Sequence, residues 1–149
     1  MAMSRRGGGK LGKSEVVTIR LDPQLRYMAD LVAKGERRTL SNLIEVALEK
    51  YVSSVPSVGG ITNDDESASA SAVMSLTWHI EPSDRLAKLA IHRADLLTPE
   101  QQEQWSRIVE NPDFWKGKRD GGKWDVSESN LDFVRLRKEW DQISSGGEK

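Results

Sequence analysis

Apolar and polar residues alternate from Val16 to Leu21, and that spacing predicts a strand. Val17, Ile19 and Leu21 fall on one face, and Val16, Thr18 and Arg20 on the other. The period then changes. Asp22-Pro23 predicts a helix start, with Asp22 as the cap and proline at the first helical position. Leu25, Met28, Ala29 and Val32 form its apolar stripe, and Gly35 is the expected left-handed stop. Thr39 is a cap candidate for a second helix whose apolar face is Leu43, Ile44, Ala47, Leu48 and Tyr51. Pro56 bounds that helix.

Patterning resumes at Met74. Met74, Leu76, Trp78 and Ile80 alternate with Ser75, Thr77 and His79, which predicts a second half-buried strand. Pro82-Ser83-Asp84 opens a helix, Thr98-Pro99 opens another, and Asn111-Pro112 ends it. Ser127 or Ser129 is the expected cap of a last helix, striped by Phe133, Leu136, Trp140 and Ile143. The expected fold is mainly α with a short β ribbon, followed by a small α-rich C-terminal domain. Composition divides the 149 residues further. Residues 1–13 read as a flexible basic arm, 14–52 as one folded unit, 53–72 as a disordered linker rich in Ser, Gly and acid, and 73–145 as a second unit.

Charge sharpens the division. The chain has 22 Lys and Arg against 23 Asp and Glu, for a net charge of −1. Up to Val52 there are ten basic and six acidic residues; beyond it there are 12 and 17. The basic head suggests an anionic partner. Cysteine is absent, which excludes disulfides, thiol nucleophiles and cysteine-bound zinc. No apolar run approaches the roughly 18 residues of a membrane span, and no secretory signal is visible, so the cytoplasm is the expected compartment.

A single strand leaves N–H and C=O groups unpaired on both edges, and about 40 residues bury too little surface to be stable alone. A two-fold dimer answers both problems by pairing the strand with its copy. The segment Glu15–Val52, about a quarter of the chain, resembles the ribbon-helix-helix family of DNA-binding dimers, the Arc/MetJ/CopG type. The shared features are the alternating strand, the Asp-Pro helix start, the Gly turn, the Thr/Ser-rich cap and the Ile-x-x-Ala-Leu-x-x-Tyr helix.

That resemblance implies an intertwined homodimer whose ribbon enters the major groove of an operator, with a dimer of dimers as an extension. It makes Val16, Thr18 and Arg20 the base-reading positions, although Val16 stands where the family usually has a polar residue. Arg20 suits a bidentate contact to guanine, worth about 1–3 kcal/mol of discrimination. The start of the second helix becomes a phosphate anchor through Thr39, Ser41 and Asn42, with N–H groups at Ser41 and Asn42. Arg5, Arg6, Lys10 and Lys13 are further phosphate candidates. Val17, Ile19, Leu21, Leu43, Ala47 and Leu48 become the dimer core.

All five tryptophans lie in the C-terminal unit. Most are expected in a small core, whereas Trp115, Trp124 and Trp78 are candidates for a protein-binding surface. The two histidines, His79 and His92, and nearby carboxylates form no metalloprotease, phosphate-loop or nucleophile-elbow motif, so neither catalysis, nor a metal, nor a cofactor is expected. The family resemblance implies a transcriptional repressor. It is further expected to be an autoregulating antitoxin whose C-terminal region binds a toxin. The alternative is a plasmid or mobile-element regulator, or a conjugation or partition accessory protein, with its own effector domain.

Overall fold

Most of the helices start where a short polar side chain captures a backbone N–H group that the first turn leaves open. In the computed structural model, which describes residues 14–59, 68–117 and 124–146, six α-helices are formed. They divide into two units, with the boundary between Val55 and Pro56.

In the first unit, α1 spans Pro23–Gly35 and α2 spans Leu40–Ser54. Asp22 accepts from the N–H groups of Gln24 and Leu25, and Thr39 accepts from that of Asn42. The left-handed residue closing α1 is Arg37, at φ 56°, and not Gly35, which stays helical. The reason is where the chain reverses: the Arg38 N–H returns to the Ala33 carbonyl at 2.8 Å, and that bond needs the turn one step before Arg38. Residues 14–22 form no strand within the single chain.

The second unit holds α3 (Ala70–Thr77), α4 (Pro82–His92), α5 (Pro99–Glu110) and α6 (Phe133–Ser144). The strand expected over Met74–Ile80 is not formed: Met74–Thr77 are the last turn of α3, which is capped by Ser69, whose hydroxyl accepts from the Ala72 N–H, and Trp78–Ile80 follow the helix. The last helix is capped by Asp132, not Ser127 or Ser129, because its carboxylate accepts from the Arg135 N–H at 3.1 Å. Thr98 and Gln101 form a reciprocal capping box at the start of α5. The expected linker is structured at both ends. Residues 53–54 belong to α2, Ala68 is buried, and α3 begins at Ala70. The Val58 N–H donates to the Ala68 carbonyl, and the Arg93 guanidinium donates to the Val58 carbonyl. The arm 1–13, with Arg5, Arg6, Lys10 and Lys13, lies outside the described residues, as does 60–67.

A core joins α4, α5 and α6 through Leu86, Ala87, Ile108, Phe114, Leu131 and Leu136. Each large apolar side chain taken fully from water contributes roughly 1.5–3 kcal/mol. Trp115 belongs to this core. Its indole N–H donates to the Ile108 carbonyl at 3.0 Å, and its ring meets Trp105 edge-on, with centroids 6.2 Å apart. A lone antiparallel bridge between Trp115 and Leu131 is the β pairing seen among the described residues.

Candidate nucleic-acid interface

Val16 to Leu21 run into the Asp22 cap of α1 outside any helix or strand. Their backbone groups make no hydrogen bond among the described residues. Unpaired backbone next to apolar side chains is open to pairing with another strand. Both faces of the segment are open. Val16 is 95 % exposed and Ile19 is 51 % exposed, while Leu21 alone is half-buried. Thr18 and Arg20 are exposed on the same face as Val16, and Arg20 has no acidic partner among the described residues.

The helices behind this segment are equally uncovered. Ala33 is the buried apolar residue of α1, and α2 buries none. Leu25, Met28, Leu31 and Val32 of α1 are exposed, as are Tyr51, Val52 and Leu48 of α2, the last at 60 %. Among the expected dimer-core residues, Leu43 and Leu21 are half-buried, whereas Val17, Ile19, Ala47 and Leu48 face outward. Two amphipathic helices with their apolar stripes turned to water lack the covering layer that a domain needs.

At the start of α2 the expected anchor is partly used up. The Asn42 N–H is bound by the Thr39 hydroxyl at 3.1 Å, so it is not open to a phosphate as expected. The N–H groups of Leu40 and Ser41 have no acceptor among the described residues. The side chains of Thr39, Ser41 and Asn42 are exposed around them. Arg38 stands beside the cap but is paired with Glu36 at 3.4 Å.

The three tryptophans proposed as surface anchors part company. Trp115 is buried, so it cannot present its ring to a partner. Trp124 is partly buried against the core. Trp78 is 57 % exposed, with the Arg85 guanidinium carbon 5.0 Å from its ring centre. Sequence patterning missed a buried ion pair in the same unit. Asp84 is 2 % exposed and accepts from the Arg137 guanidinium and from the Ser83 hydroxyl, with His79 alongside at 3.5 Å. Burial pushes the Asp84 carboxyl up, but these hydrogen bonds and the charges of Arg137 and His79 outweigh it and hold its pKa below the ordinary value. An aspartate two residues past a proline reads as a helix-start residue, and nothing in its spacing points to an arginine 53 positions on.

No helix among the described residues is long and apolar enough to cross a membrane. Comparison with protein-family models, with curated proteins and with solved structures finds no match.

Proposed function

We propose that the chain is a homodimeric, sequence-specific DNA-binding regulator of the ribbon-helix-helix type, working in the cytoplasm as a repressor of transcription. The observation that carries this reading is the state of residues 14–54. A segment outside any helix or strand, with unpaired backbone and an alternating apolar pattern, precedes two helices whose apolar faces are uncovered. A second copy satisfies both needs at once, pairing Val16–Leu21 with its counterpart and covering Ile19, Leu48 and their neighbours. The resulting ribbon turns Val16, Thr18 and Arg20 outward on a width that the major groove accepts.

The C-terminal unit has a core of its own around Phe114 and Leu131. That supports a folded effector domain, as in a plasmid or mobile-element regulator, over a tail that orders only on a toxin. An antitoxin remains the second reading, favoured by the exposed Trp78 and Met74, and it requires a toxin that binds a preformed surface.

The test is a gel shift of the DNA upstream of the protein's own gene, with competitor DNA and two salt concentrations. A specific shift by the wild type, lost in Arg20→Ala, is the expected result. A wild type that binds specific and competitor DNA equally well overturns the reading.

A further inference from the structure

Helices α3 to α6 line an open groove of about 500 Å³ that the DNA-binding reading does not use. Its apolar wall is made by Met74, Trp78, Leu89 and Trp140. Two of these are unusually open for their chemistry: Met74 is 62 % exposed and Trp78 is 57 % exposed. Gln101 and Gln104 of α5 bring amides to the trough, and Arg85 of α4 brings the charge among its described lining residues. Arg85 rests on the Trp78 ring and has no carboxylate partner among the described residues. The other charged side chains of α4 are engaged elsewhere: Asp84 with Arg137, and Lys88 and His92 with Glu128.

We propose that this groove is a binding site for a small carboxylate with an aromatic or branched apolar body. Its volume lies within the roughly 300–1,000 Å³ of small-molecule clefts, which are mostly apolar with a few convergent polar groups. A guanidinium presents a fork of N–H donors that fits a carboxylate two-to-two, and stacking on an indole holds that fork in place. The groove carries a cation and no acid among the described lining residues, so it selects an apolar anion over a neutral or cationic analogue of the same shape.

Three probes share one ring and differ in charge: indole-3-acetate, indole-3-acetamide and tryptamine. The full chain, labelled with nitrogen-15, gives one indole N–H signal for each of its five tryptophans, assigned by Trp→Phe variants. Indole-3-acetate is expected to shift the Trp78 and Trp140 signals, to leave Trp115 still, and to bind about tenfold more tightly than the other two. Arg85→Gln is expected to bring the acetate down to the level of the acetamide, and Arg85→Lys to keep part of the difference. Equal binding of the three probes, an unchanged affinity in Arg85→Gln, or shifts confined to other tryptophans overturns the proposal. So does silence from indole-3-acetate. The readout uses no DNA, so its failure leaves the ribbon reading standing, and a failed gel shift leaves this site standing.

Discussion

Arg137 and Asp84 stand 53 residues apart in the chain, and the guanidinium of one grips the carboxylate of the other through both Nε and Nη2. The two ends of this pair are not equivalent. Asp84 is buried, whereas 40 % of the Arg137 side chain is exposed. Removing the arginine strands a carboxylate away from water, while removing the charge on Asp84 leaves a guanidinium that water can reach. Arg137→Ala is therefore expected to cost about 3 kcal/mol of stability, against about 1.5 kcal/mol for Asp84→Asn. Urea unfolding followed by tryptophan fluorescence measures this unit alone, since all five tryptophans lie within it. Equal losses would contradict the asymmetry.

The same pair sets a pH dependence. Glu128 behaves like Asp84: burial pushes its carboxyl up, and the hydrogen bonds and charges of His92 and Lys88 outweigh it, so its pKa is lowered. For both groups the unfolded chain takes up protons before the folded one does. Their contribution is complete above the ordinary carboxylate pKa of about 4 and is lost as pH falls through the lower folded values. The urea midpoint is expected to hold through neutral pH and to drop below about pH 4, with a shallower drop in Asp84→Asn.

Unit-one chemistry makes a sharper contrast. Ile19→Asp places a charge where the proposed dimer buries an apolar side chain, and it is expected to abolish the dimer and the helicity of α1 and α2 together. Arg20→Ala is expected to leave the dimer intact and to remove about 1–3 kcal/mol of base discrimination. Light scattering coupled to size exclusion separates the two outcomes. A well-folded single-chain species of Ile19→Asp would refute the intertwined arrangement.

Arg37 offers a gain. It holds a φ of 56°, where an L side chain crowds its own backbone and glycine does not. Arg37→Gly is expected to raise stability by about 0.5 kcal/mol, the relief of strain being partly offset by a more flexible unfolded chain. Thermal unfolding followed by far-ultraviolet circular dichroism reads it, and a fall in midpoint would contradict the turn geometry.

Helix starts were the most legible feature of the sequence. Asp22, Thr39 and Thr98 each cap a helix because a short acceptor beside a helix-compatible first turn is a local signal that needs no tertiary context. The stripe of Phe133, Leu136, Trp140 and Ile143 was likewise readable, and Leu136 and Ile143 are buried. The segment around Met74 was not. Its apolar residues satisfy two periods at once, since alternation picks Met74, Leu76 and Trp78, while helical spacing picks Ala72, Val73, Leu76 and Thr77, which are the half-buried ones. The signal that decides between them is Ser69, a cap three residues before Ala72. The groove was illegible for a different reason. Met74, Arg85, Gln104 and Trp140 come from four segments, and only packing brings them to one trough. The segment before α1 is legible as an alternating pattern, and its pairing belongs to the proposed dimer.

The span between Asp84 and Arg137 also has a meaning in time. A ribosome adds about 5–20 residues each second, so α4 is finished several seconds before α6 exists. The core cannot close in that interval, because Leu136 and Ile143, which seal it, have not yet been joined to the chain. The first unit meets no such wait within its own sequence, since α1 and α2 are adjacent. Birth order thus gives each nascent chain an uncovered N-terminal surface while its C-terminal half is still being made.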